Sequence, residues 1–300
     1  MTAVRKGLED TDLPGLFESA DSASLDGQRQ YLRTVRLRLL LAVLAACTGV
    51  VQWKLGPRQI DVAAIGTALT LVGVLLTELN LRTARPENRW YDGRALAEST
   101  KSLAWRFSVR GVPFALKADE QAVERRFLEQ MGKLLAEAPT TSIRPSQRAV
   151  VSDRMRALRA ADLATRKATY LEFRIADQQA WYARKAQTNE RLARRWGLWL
   201  CLVELIGIAA AVAKASGFIQ LDLAGVVAAM VAAGTAWVSL RQLATLARAY
   251  TFAANELTIA HRRLELVDDE ATWAVEVADS EEAVSREHTM WRASRSRPSS

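Results

Sequence analysis

The chain has 300 residues, half of them hydrophobic, and a formal net charge of +8. Two cysteines exclude a disulfide framework, and a mean hydropathy near zero averages over two very different kinds of segment. With only His261 and His288, and no Walker motif, dinucleotide fingerprint, HExxH or CxxC, neither an enzyme, a cofactor nor a bound metal is expected.

Residues 1–35 form a polar segment with no apolar core before Leu37, so a signal peptide is not expected. Charged residues then almost vanish from Leu39–Val51 and Val62–Thr77, which form a first transmembrane hairpin over residues 36–82. Residues 83–195 are a basic helical domain. Phe107–Glu120, with Gly111 and Pro113, reads as a loop, and a helix follows from Gln121 to Glu137. No Gly or Pro lies between Pro145 and Gly197, which predicts one helix from near Ser146 into the next apolar stretch. That stretch, Gly197–Ala213, pairs with Leu223–Leu240 in a second hairpin over residues 196–240. Residues 241–291 are predicted to be one helix: Leu243, Tyr250, Leu257, Leu264 and Ala271 recur every seven residues, as do Leu246, Ala253, Ala260, Val267 and Ala274. The Ser- and Arg-rich tail, 292–300, is expected to be disordered.

Each apolar stretch falls just short of the ~20 residues that cross a bilayer core unaided. A buried helix in a soluble bundle is the competing explanation. Three features favour spans. The stretches are apolar all round, not striped. Trp53, Trp196, Trp199 and Trp237 sit near their ends. Arginines flank the hairpin ends: Arg33, Arg36 and Arg38, then Arg82, Arg85 and Arg89, then Arg191, Arg194 and Arg195, then Arg241 and Arg248. The positive-inside rule places both termini and the middle segment in the cytoplasm. The expected fold is therefore all-α and membrane-integral, with four transmembrane helices in two hairpins and long cytosolic extensions.

The hairpins repeat each other at a shift of 161 residues: Gly56, Gln59, Ile60, Asp61, Val62 and Ala63 correspond to Gly217, Gln220, Leu221, Asp222, Leu223 and Ala224. Both have their ends on one side, which makes them parallel repeats about an axis along the membrane normal. Asp61 and Asp222 read as helix N-caps.

The charge excess belongs to the middle of the chain, where residues 82–195 carry 24 basic and 13 acidic groups, net +11. Such a segment holds anionic lipid, binds a phosphate-bearing ligand, or is a solvated face. Arg125, Arg126, Arg148, Arg154, Arg156 and Arg159 lie away from the spans and are the candidate ligand-binding residues. Glu204, near the centre of the third span, is a functional candidate by default, since a charge there is costly unless paired or hydrated. Gly66, Thr70, Gly73, Thr77 and Asn80 share one face of the second span; Gly225, Ala228, Ala232, Thr235, Ser239 and Gln242 share one face of the fourth. Such small, polar stripes either pack helices closely or line water. On the second reading Glu204, Glu78, Thr70, Thr77, Thr235 and Ser239 line a pore.

Trp90-Tyr91, the run Arg94–Lys101, Trp105-Arg106-Phe107 and Pro113-Phe114 resemble the stretch after the hairpin in the SLATT family of membrane effectors. Residues 174–182 (Arg-Ile-Ala-Asp-Gln-Gln-Ala-Trp-Tyr), with Lys185-Ala186, are similar to the helix leading into a second such hairpin. Two units of this kind cover most of residues 30–270. The resemblance implies a pore-forming effector of bacterial antiphage defence in the inner membrane, gated by a nucleotide or oligonucleotide signal from a partner nucleotidyltransferase. A separate sensor domain is absent from the pattern, which points to the +11 segment as the receptor surface. Four short spans are too few for a wide pore, so a homo-oligomer, a tetramer for preference, is expected. A non-conducting scaffold that docks a cytosolic partner, and a lipid-binding remodelling protein, are the alternatives.

Overall fold

The computed structural model describes residues 7–115, 119–138 and 143–295. The chain folds into two compact units: Met1–Gln28, Glu87–Ala186 and Arg248–Ser300 form a helical unit, and Arg29–Pro86 with Gln187–Ala247 form a hairpin unit.

Helix α1 (Gly15–Val50) leads to a tight turn in which strands β1 (Lys54–Leu55) and β2 (Ile60–Asp61) pair antiparallel, and α2 (Val62–Ala84) returns. Asp61 accepts hydrogen bonds from the Ala63 and Ala64 amides, capping α2 as its sequence position predicts. Thr48 and Thr67 hydroxyls meet across the arms at 2.9 Å, Arg38 pairs with Glu78 at 2.6 Å, and a methyl group at Gly73 would sit 3.0 Å from Leu41. The second hairpin joins α7 (Asp177–Ala215) to α8 (Leu223–Arg241). There Asp222 makes no side-chain cap; it pairs instead with Lys214 at 3.2 Å. A methyl group at Gly234 would meet Leu200 at 2.6 Å, and one at Gly207 would meet Val227 at the same distance. Close contact at small residues is how helices associate where lipid removes any hydrophobic drive between them. Gly56 and Gly217, which the 161-residue shift aligns, take φ of 73° and 76°, a left-handed conformation that glycine adopts without penalty.

Among the described residues, three helical runs are long and apolar enough to cross a membrane: Val62–Ser108, Leu163–Ala215 and Leu223–Glu265. The fourth predicted span lies at the end of α1, a helix whose other half is polar. Large apolar side chains on the hairpin unit, among them Leu69, Leu198, Ile208 and Phe218, point outward.

The helical unit is built from the start of α1, α3 (Pro86–Ser108), α4 (Glu120–Glu137), α5 (Asp153–Ala160), α6 (Leu163–Tyr170), a π-helical turn (Leu171–Ala176), the start of α7, α9 (Leu243–Glu265) and α10 (Glu270–Arg295). Two of its breaks correct the sequence reading. The helix expected from near Ser146 is divided at Ala161, where Asp162 accepts from the Thr165 amide and starts α6. The single C-terminal helix is two helices, because Asp269 accepts from the Ala271 and Thr272 amides and starts α10. An aspartate that offers a better partner to free amides than the helix does can stop a helix without Gly or Pro. The helix α4 lies where it was predicted; the expected loop begins only at Val109, after α3, and its residues 116–118 lie outside the described residues. Of the predicted disordered tail, residues 292–295 continue α10 and residues 296–300 lie outside the described residues.

The core of the helical unit is aromatic. Tyr170 stands edge-on to both Trp105 and Trp273, with ring centres 5.8 Å apart in each pair, and Phe107, Phe114 and Phe127 form a second cluster.

Candidate functional site

Three sets of polar residues carry functional potential. In the hairpin unit, Glu204 lies midway along the apolar part of α7, is exposed, and has no hydrogen-bond or ion-pair partner among the described residues. Thr235 and Ser239 are also exposed, on α8. The α2 residues are engaged differently. Glu78 bridges Arg38 and Arg82, Thr70 donates to Thr67 O at 2.8 Å, and Thr77, which is buried, donates to Val74 O at 2.7 Å. Gly66 and Gly73 of the same stripe face Thr48 and Leu41, so this part of α2 packs against α1.

The six candidate arginines separate into kinds. Arg125 and Arg126 stand exposed on α4, whose Val123, Phe127 and Met131 face the core. Arg156 reaches Glu124 at 2.8 Å and Asp153 at 3.4 Å; the hydrogen bond to Glu124 holds its proton above the ordinary value. Arg148 pairs with Glu18 at 2.9 Å, and Arg154 is half-buried and engaged with neighbours. Arg159 is 3% exposed. Its guanidinium donates to the carbonyls of Phe107 and Phe114 and to Glu120, and stacks over Phe107.

Arg159 belongs to a group that sequence reasoning missed. The end of α3 and the irregular segment after it present carbonyls that the helix leaves over, and buried carbonyls need donors. Arg106 serves Val112 O at 2.7 Å, Arg166 and Trp273 both serve Val109 O, and Arg159 serves Phe107 and Phe114. Arg166, fully buried, also pairs with Glu270. Deeper still, Arg174 grips Glu281 through two hydrogen bonds of 2.9 and 2.7 Å, with Tyr170 donating to the same carboxylate. Part of the +11 excess therefore holds the fold and does not face solvent. Charge type along the sequence carries no mark of this.

The third set lines a cavity of 770 Å³ within the helical unit. Arg94, Glu98, Lys101 and Trp105 reach it from α3, and Phe173, Arg174, Asp177 and Trp181 from the π-turn and α7. Seven of these eight, all but Phe173, fall in the two stretches that carry the SLATT resemblance, which was the only sequence signal for this site. Among the described residues, no cluster of His, Cys, Asp and Glu could hold a metal ion.

Residues 14–167 match the SMODS and SLOG-associating 2TM effector domain 3, and residues 170–291 match the SMODS and SLOG-associating 2TM effector domain 1. No curated protein and no solved structure matches the chain. The domain boundary falls between Arg166 and Tyr170, so the aromatic cluster of Trp105, Tyr170 and Trp273 and the Arg166–Glu270 pair join residues of both domains in one core. With both matches covering nearly all of the chain, and the earlier resemblance pointing the same way, the protein belongs to the SLATT family of membrane effector domains, two of them in tandem.

Proposed function

We propose that this chain is the subunit of a homo-oligomeric ion-conducting pore in the bacterial inner membrane, a tetramer for preference, opened or closed by a nucleotide-type signal during antiphage defence. Four spans cross as two parallel hairpins, with both termini and the basic helical unit in the cytoplasm. The chain performs no catalysis; a partner nucleotidyltransferase makes the signal. The observation that carries this reading is Glu204. An exposed, unpartnered carboxylate midway along an apolar helix is costly against lipid. Facing water in a channel between subunits removes that cost, with Thr235 and Ser239 on the neighbouring helix of the same hairpin. Arg125 and Arg126 offer exposed cations to an approaching phosphate.

The test is ion flux through liposomes holding the purified protein, with and without nucleotides. Ligand-dependent flux that changes in Glu204→Gln supports the pore; a folded protein that stays monomeric in mild detergent overturns it. A second reading, a non-conducting scaffold docking a cytosolic partner, is favoured by one specific observation: Thr70 and Thr77 bond back to their own helix, and Gly66 and Gly73 pack on α1. Absence of flux from folded oligomers selects the scaffold.

A further inference from the structure

One polar contact joins the two hairpins. Trp237, near the end of α8, is 8% exposed, and charged groups lie over it. The Arg36 guanidinium of α1 stands 5.1 Å from the centre of its ring, and that of Arg241 stands 5.7 Å from it. A tryptophan at the end of an apolar stretch is expected to face the lipid boundary. Here two guanidinium groups from different hairpins meet at it instead.

A ring attracts a cation through its quadrupole, but it supplies no negative charge. The two guanidinium carbons are no farther apart than the sum of those two distances, and neither arginine has a hydrogen-bond or ion-pair partner among the described residues. Other arginines of the same unit differ: Arg38 and Arg82 share Glu78 at 2.6 and 2.8 Å. Arg36 is exposed and Arg241 half-buried, so both are open to a group that arrives from outside the subunit.

A second observation says what kind of group fits. Arg36 lies just before the apolar stretch Leu39–Val51, and Arg241 is the last residue of α8. Arg36, Leu40 and Leu44 are spaced by four along α1 and so share one face. Leu40 and Leu44 are 62% and 47% exposed. That face carries a cation at the end of the apolar stretch and bare leucines along it, which is the pattern of a lipid: a charged head and an acyl chain.

We propose that Arg36 and Arg241, on their common Trp237, hold the headgroup of an anionic phospholipid whose chain lies along Leu40 and Leu44. A guanidinium fork matches phosphate oxygens in pairs, and basic pockets between transmembrane helices are where such headgroups bind. Charge selects among lipids. A choline or ethanolamine headgroup brings an ammonium beside its phosphate, which the second guanidinium repels; a glycerol headgroup brings none. Arg36 falls in the first matched domain and Arg241 in the second, so one headgroup ties the two SLATT domains together. The inference needs the hairpins to lie in a bilayer and does not need them to conduct.

Native mass spectrometry of the full chain in mild detergent, with dioleoylphosphatidylglycerol or dioleoylphosphatidylcholine added, tests it. Retention of the first phosphatidylglycerol is expected at least tenfold above that of phosphatidylcholine. Arg36→Gln with Arg241→Gln should abolish the preference, while Arg58→Gln with Lys133→Gln, which removes the same charge elsewhere, should keep it. Should the first double variant fail to fold, as judged by its melting temperature, Arg36→Lys with Arg241→Lys keeps the charge and loses the fork, and should lower the preference at least threefold. Glycerophosphoglycerol and inorganic phosphate should each compete at least tenfold less well than the lipid. Equal competition by either would assign the site to a free phosphate and overturn the inference. So would the absence of a preference, or an equal loss in the Arg58 and Lys133 variant. Lipid preference without flux leaves the site standing and removes the pore; flux without lipid preference does the reverse.

Discussion

The two units differ in what they leave exposed. In the helical unit the interior holds Trp105, Tyr170, Trp273 and three phenylalanines, together with a closed Arg174–Glu281 pair. In the hairpin unit Tyr31, Trp237 and Leu243 are buried along with small residues such as Ala45, Ala63 and Thr77, but Leu69, Leu198 and Phe218 face outward at 67%, 67% and 85% exposure. In water, burial of large apolar surface drives folding at ~25 cal/mol per Å², so the bulky side chains go inside. Against lipid that drive disappears, and helices meet where small residues let their backbones approach. One chain thus follows two packing rules, and the difference between them can be tested.

The largest effect is expected at the buried pair. Arg174→Met or Glu281→Gln should each lower stability by ~3–5 kcal/mol, because the remaining group is left buried without its partner. Thermal unfolding in detergent, followed by near-ultraviolet dichroism, measures this. The double change Arg174→Met with Glu281→Leu should recover most of the loss; tolerance of the single changes would mean that the helical unit lacks a tightly packed core.

Glycines sharpen the contrast. Gly93 on α3 lies against α1, where a methyl group would fall 2.8 Å from the Ser24 amide and 2.9 Å from the Ala20 carbonyl oxygen. Neither backbone atom can move aside cheaply, so Gly93→Ala should cost ~1–3 kcal/mol. Gly225 on α8 has open space around it, and Gly225→Ala should be neutral or stabilise by up to ~1 kcal/mol through helix propensity. Equal destabilisation by the two changes would show that backbone approach is not what distinguishes these positions.

Glu204→Gln should leave thermal stability within ~0.5 kcal/mol of the parent, since no described residue pairs with it. It should nevertheless alter flux or toxicity. A stability loss with unchanged flux would place Glu204 in a structural role instead.

The smallest effect concerns Asp21. Its raised pKa means the folded state holds the proton more tightly than the unfolded chain does. That contribution is full below the unfolded value, near 3.8, and is lost as pH rises through the folded pKa. Asp21→Asn should therefore flatten the decline in melting temperature over the mildly acidic range. Arg94, Asp10, Glu98 and Lys101 face the carboxylate and set the size of the change.

The long apolar helices were legible because a run without charge is written in adjacent residues. Helix stops at Asp162 and Asp269 were written too, but in aspartates, which also populate solvated helix faces, so the residue type did not single them out. Arg159, Arg166 and Arg174 could not be read as interior residues, because what buries them is the carbonyls and carboxylates of segments up to 107 residues away. The cavity was half legible. Arg94, Lys101 and Trp105 drew notice as part of a family pattern, but Phe17 and Asp21 lie on a different helix, and only folding brings them to the same wall.

The π-turn at Leu171–Ala176 also sets angular phase. In an α-helix each residue advances about 100° around the axis, so a turn of i→i+5 bonding holds one residue more than the α geometry beyond it. Asp177–Ala215 continues from that turn without interruption, so the turn sets the angular phase of the first residues of α7, Trp181 and Tyr182 among them. Converting the turn to α-helix would rotate those two rings about a quarter of a revolution relative to Tyr170 and away from the Tyr250 ring they pack against. A helix with such an insert works as a dial, and the cavity grips it at the hub.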